Sequence, residues 1–221
     1  MLRYLLASLV LAGFPIVASA GDNNRVDLLQ SATGSIGNTL TIDQSNADNS
    51  LVAGDPLGIQ GAPGESPAQQ IGDDNTATLT LEGDGTRAFL EQGQIGSPAF
   101  GNEASAFIAG LAGIGMIQQL GADNFASLTV TSESSTSPSD GAIFQDGNKN
   151  RGTLTVEGIN VSGTLRQVGD YNANNLSVSG QNSSVEFTQE GTGIVNSGNS
   201  GSRGVSVYTN AGNVSITQTN Y

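Results

Sequence analysis

One phrase, repeated, limits what this chain can fold into. It reads QIGDDNTATLTL from Gln70 to Leu81, QLGADNFASLTV from Gln119 to Val130, QDGNKNRGTLTV from Gln145 to Val156 and QVGDYNANNLSV from Gln167 to Val178. Each copy places a Gly two residues after a Gln, an Asn three residues after that Gly, and then an alternating run. In the last copy Asn172, Asn174, Leu176 and Val178 share one face, with Ala173, Asn175 and Ser177 on the other. Period two marks a strand with one buried side. Before the last Gln, Val185, Phe187 and Gln189 align in the same way. Gln and Asn therefore lie on the apolar side and are expected to point inward. A buried amide without partners costs about 1–3 kcal/mol. Stacking identical amides at one height per layer removes that cost, as in the Asn/Gln ladders of cross-β stacks.

Between Gln and Asn stands a polar corner: GDDN, GADN, GNKN or GDYN. Gly supplies positive φ there, and Asp or Asn tolerates it. The unit is thus strand, corner, strand, corner. The Gln spacings from 119 to 145, 167 and 189 are 26, 22 and 22 residues, a repeat length typical of solenoids. The expected fold is all-β: a parallel β-solenoid of stacked strand-turn-strand repeats of about 22 residues, with two facing parallel sheets. Its thin interior suits a chain of 221 residues that has 31 Gly, 5% aromatics and no Trp, His or Cys. Lacking Cys, it has neither a disulfide scaffold nor a thiolate site.

Residues 1–20 read as a secretory signal peptide: Arg3, an apolar run from Leu5 to Val17, then Ala18-Ser19-Ala20 as a small-residue cleavage site. The run is shorter than the ~20 residues that span a bilayer and contains Gly13 and Pro15. Residues 21–68 read as a polar leader, degenerate first layers and a loop from Gly54 to Pro67, whose Pro content bars a central strand. Residues 69–191 are the regular body, and 192–221 a Gly/Ser-rich segment with terminal strands, Val205, Val207, Val214 and Ile216 pointing to a final hairpin or layer that ends at Gln218. Within the body, the copy assigned to Gln94 carries Ser97 to Phe100 as an insertion before Asn102. Gly110 to Gln118 reads as a buried strand, with a short helix as the alternative, and Ser132 to Asp140 as a surface bulge. The net charge is −13, and loss of Arg3 makes the mature chain one unit more negative. That disfavours nucleic acid and anionic membrane as partners.

Gln-x4-Asn within such a repeat, with a corner Gly, resembles the curlin repeat of curli amyloid subunits, whose pattern is Ser-x5-Gln-x4-Asn-x5-Gln. The Gln-x4-Asn core is present at Gln44/Asn49, Gln70/Asn75, Gln119/Asn124, Gln145/Asn150 and Gln167/Asn172. The preceding Ser is present as Ser139 and Ser183, while the closing Gln is replaced by Leu81, Val130, Val156 and Val178. The resemblance covers about Gln30 to Gly191 and is that of a divergent member. It implies a secreted structural subunit, major, minor or nucleating, of extracellular fibres for biofilm matrix and adhesion. It further implies self-association, a curli-type outer-membrane secretion pore, and a nucleator or companion subunit. The residues expected to carry this are Gln70, Gln119, Gln145, Gln167 and Gln189 in one ladder, and Asn75, Asn102, Asn124, Asn150 and Asn172 in the other.

Three other readings compete with this one. Outward rows of Thr76, Thr78 and Thr80, Ser127, Thr129 and Thr131, and Thr153 and Thr155 resemble the flat Thr faces of ice-binding solenoids, and a monomer binding ice or a polysaccharide surface is the alternative function. Thr is also an ordinary outward strand residue. Asp73-Asp74 and Asp84 could be cast as an acid–base pair, but neighbouring strand residues face opposite ways and no nucleophile motif exists; no enzymatic activity is expected. Corner carboxylates such as Asp73, Asp74 and Asp170 are hard oxygen ligands, yet turn chemistry explains them, so neither metal nor cofactor is expected.

Overall fold

The computed structural model describes residues 16–32, 34, 36–54, 66–94, 96–133, 138–195 and 204–220. The described residues are all strands and corners, with no helix. One sheet stacks β1 (Ile16–Ala20), β4 (Thr39–Asn46), β7 (Thr76–Glu82), β10 (Glu103–Leu111), β12 (Phe125–Glu133), β14 (Arg151–Val156), β16 (Ala173–Gln181) and β18 (Val205–Asn210), in that order and all parallel. The facing sheet stacks β2 (Arg25–Val26), β5 (Leu51–Ala53), β8 (Arg87–Gln92), β11 (Ile114–Leu120), β13 (Asp140–Asp146), β15 (Val161–Val168), β17 (Ser183–Gly191) and β19 (Asn213–Asn220). Alongside its early layers run β3 (Leu28–Ser31), β6 (Ala68–Asp73) and β9 (Ala99–Phe100). The chain alternates between sheets, and each coil lies on the one before: a β-solenoid with two parallel sheets, as the repeat predicts.

Register is kept column by column. Leu79, Ala106, Leu128, Leu154 and Leu176 stack in one sheet. Leu90, Ile117, Ile143, Leu165 and Phe187 stack in the other. Most of these are fully buried. The two inner faces interlock by size. At Gly141 an added Cβ would lie 2.7 Å from Leu128 Cδ1 and 2.8 Å from Val130 Cγ2. At Gly163 it would lie 2.9 Å from Val156 Cγ2. One sheet is hollowed where the other carries branched side chains, and this lets a thin interior reach close packing.

Two segments interrupt the layers, and the second is shorter than the expected surface bulge, since Ser132 and Glu133 belong to β12 and Asp140 to β13. The described ends of the Gly54–Pro67 loop meet, the Gly54 N–H donating to the Ser66 carbonyl at 2.8 Å. β5 and β6 thus form two halves of one layer, and residues 55–65 of the loop lie outside the described residues. In the Ser132–Asp140 bulge, Ser132 and Ser139 are buried and the Ser139 N–H reaches Ser132 Oγ at 3.3 Å; 134–137 lie outside the described residues.

One strand expectation needs correcting. Gly110 to Gln118 is not one strand: a corner at Ala112, with φ of 56°, separates β10 from β11. The apolar run hides this corner because Ala and Gly give no polar turn signal. Of the two readings of the terminal strands, hairpin or layer, the layer is what forms: β18 pairs in parallel with β16 and β19 with β17. Ile16–Ala20, the last residues of the stretch read as a signal peptide, pair as β1 with Leu40–Gln44; residues 1–15 lie outside the described residues, as do 196–203 of the Gly/Ser-rich segment.

Candidate functional site

The ten amides singled out in the sequence come together as two columns inside the stack, each at most 1% exposed. Gln is delivered by the last inward position of the second sheet, just before the corner. Asn is delivered by the corner itself, just before the first sheet resumes. The corner is tight enough to require glycine. At Gly147, with φ of 126°, an added Cβ would lie 2.2 Å from the Gly169 carbonyl oxygen of the next layer. The same approach recurs at Gly121 and Gly169.

The Gln column is a chain of side-chain hydrogen bonds with one direction. Each Nε2 donates to the Oε1 of the next Gln: Gln70 to Gln92 at 2.8 Å, Gln92 to Gln119 at 2.8 Å, and Gln119 to Gln145 at 3.0 Å. Gln145 donates to Gln167 at 2.9 Å, Gln167 to Gln189 at 2.9 Å, and Gln189 to Gln218 at 3.2 Å. The second N–H crosses the core to the strand that begins the same coil: Gln92 to the Thr76 carbonyl at 3.0 Å, Gln119 to Glu103 at 3.0 Å, Gln145 to Phe125 at 2.9 Å and Gln167 to Arg151 at 3.1 Å. One side chain thereby joins layer to layer and closes its own coil.

The Asn column works differently from the expected amide-on-amide stack. Each Oδ1 accepts the backbone N–H of the next Asn: Asn102 to Asn75 at 3.2 Å, Asn124 to Asn102 at 2.8 Å, Asn150 to Asn124 at 2.9 Å and Asn172 to Asn150 at 3.0 Å. From Asn102 to Asn172 each Nδ2 donates to the corner glycine carbonyl of the next layer, as from Asn124 to Gly147 at 2.8 Å and from Asn150 to Gly169 at 2.7 Å, whereas Asn75 Nδ2 donates to the Ala99 carbonyl and to Asn38 Oδ1, each at 3.0 Å. Amide meets amide only at the start of this column, between Asn75 and Asn38; in the later layers the corner backbone is the partner.

Three Gln rungs and one Asn rung escaped the Gln-x4-Asn spacing. Gln92, not Gln94, holds the rung before Asn102, because Ala99–Phe100 forms an extra strand, β9, on β6. Gln94 sits in a turn, bridged to Ser97. Gln30 begins the column by donating to Gln70, Gln218 ends it among the described residues, and Asn38 begins the Asn column by accepting the Asn75 N–H at 3.0 Å. Gln44/Asn49 is not a rung: Gln44 is buried in the opposite sheet and donates to Ser50 Oγ at 2.7 Å, and Asn49 is an exposed corner residue with φ of 55°.

The ends of the stack differ from its body. β18 and β19 each have one ladder partner, and Val205, Val207, Val214 and Ile216 continue the inward columns only half-buried. At the other end, Gln30 is 4% exposed and its Oε1 has no partner.

On the outer face the Thr and Ser columns stand in register, Thr78, Ser105, Ser127 and Thr153 in one and Thr80, Thr129 and Thr155 in the next. Phe107, 40% exposed, stands between Thr80 and Thr129 and breaks the hydroxyl row. The corner aspartates serve backbone turns, as where Asp170 Oδ1 accepts the Asn148 N–H at 2.7 Å. No group of three ligating side chains occurs among the described residues. No family model, curated protein or solved structure matches the chain.

Proposed function

We propose that this protein is a curlin-like structural subunit of an extracellular fibre, exported by its leader and built into a surface polymer for matrix and adhesion. The observation that carries the reading is the Gln column, which runs from Gln30 to Gln218 with one donor direction and ends beside strands that have a single ladder partner. Such edges template pairing with another chain. A stack whose two ends are chemically unlike joins heterologously and does not close. A further copy adds rungs at a spacing the chain already uses. The partners in this reading are other copies, a nucleating or companion subunit and an outer-membrane pore.

Electron microscopy and fibre diffraction of the purified protein over days test it. Self-seeding, thioflavin-positive fibres with a meridional spacing of about 4.8 Å are expected. A protein that stays monomeric at high concentration and ignores added seeds defeats the reading. Ice recrystallisation inhibition by fresh monomer would instead favour the outward Thr face, against which the Phe107 interruption counts.

A further inference from the structure

The first sheet has a notch. β12 runs to Glu133 and β16 to Gln181, but β14, which lies between them, stops at Val156. Ladder pairing on both sides of β14 therefore ends at Val130, Val156 and Val178. Beyond that point the ends of β12 and β16 have no ladder partner on the side facing β14. The chain leaves the sheet through Glu157 and Gly158, and the opening has a volume of about 320 Å³. Thr131, Thr155, Glu157, Gly180 and Gln181 are among the residues that line it. At its rim Ile159 holds φ of 63°, followed by Asn160 at 58°. Asn adopts that conformation readily; for a β-branched residue it is an outlier. The next layer's corner places Gly180 and Asn182 in the left-handed region instead, at φ of 123° and 48°. Strain of this kind gathers at binding sites, and here it holds an aliphatic side chain 39% exposed at the mouth of a polar opening.

We propose that this notch is a binding subsite for a neutral saccharide. The lining combines one carboxylate, one amide, two hydroxyls and an exposed aliphatic side chain. A carboxylate accepts from two neighbouring hydroxyls, an amide both donates and accepts, and the aliphatic side chain covers the C–H face of a pyranose ring. No cation lines the notch, so nothing there would neutralise a phosphate, sulfate or uronate, and the chain carries −13 overall. Among the described residues Glu157 is the sole carboxylate in the lining, too few for a divalent cation, which takes six or more oxygens. The volume lies at the lower end of the ~300–1,000 Å³ of small-molecule sites, room for one or two sugar units. Its importance for adhesion rests on the fibre reading: one notch per copy, repeated along a polymer, multiplies a weak contact by avidity.

The test uses the full chain kept monomeric, so that its outcome does not depend on fibres. Amide shifts are followed by NMR while cellotetraose, chitotetraose or mannotetraose is added, with tetragalacturonate and calcium in parallel. At least one neutral tetrasaccharide is expected to move the amides of Glu157, Ile159, Gly180 and Gln181. Glu157→Ala and Gln181→Ala, both at exposed positions, should each weaken that binding about tenfold with the melting temperature unchanged. The proposal is overturned if no neutral saccharide moves these amides, if both variants bind as tightly as the parent, or if only galacturonate or calcium produces the shifts.

Discussion

At the scale of the residue, an inward glutamine is costly to remove because its neighbours cannot turn to water. Gln145→Ala leaves Gln119 without its acceptor and Gln167 without its donor. A buried unsatisfied group costs about 1–3 kcal/mol, so urea unfolding should show a loss of several kcal/mol. Thr155→Ala, on the outward face, should stay within about 0.5 kcal/mol. In assembly, the same pair should differ in lag time, with Gln145→Ala the slower; matched lag times would count against the role given to the column. Asn150→Ala is expected to act on the corner, since it frees the Asn172 N–H and the Gly169 carbonyl. Hydrogen exchange at Gly169 and Asn172 should rise more than at the Gln column. Which residues face inward is legible in the sequence, because period two and a recurring Gln leave little freedom. How each amide is satisfied is not, because spacing fixes the face and not the partner. Gln92 was hidden for a related reason: nine residues separate it from Asn102, and the intervening β9 lies on a neighbouring layer rather than in the coil.

At the scale of the element, strands are paired by register and fitted by volume. Periodicity marks Gly115, Gly141 and Gly163 as inward positions, yet gives no hint that branched side chains from the other sheet fill the space above them. Gly141→Val therefore overpacks the interior against Leu128 and Val130. A loss of about 1–3 kcal/mol is expected, measured by denaturant midpoint, and Leu128→Ala in the same chain should recover part of it. Full additivity of the two changes would show that the side chains do not share that space. The split of Gly110 to Gln118 shows the converse limit. A corner built from Ala112 and Gly113 carries no Asp, Asn or Pro, so apolar continuity was read as strand continuity.

At the scale of the molecule, every copy carries the same negative charge. Copies that meet end to end must overcome mutual repulsion, and salt screens it over about 10 Å at 0.1 M. Fibre growth should therefore accelerate as sodium chloride rises from low millimolar to 0.2 M. Growth that slows with salt would mean that association depends on charge attraction instead. The architecture also sets how such an object bears load. Its hydrogen bonds lie along the stacking axis, so a pull from the two ends passes undiminished through every layer. Rupture then starts at the thinnest seam. In the second sheet β5 and β6 meet β8 over three and two residues, two short patches parted by the Gly54–Pro67 loop, whereas β15 meets β17 over eight without a break. Under tension this chain would tear first near its amino-terminal third and leave the later coils intact.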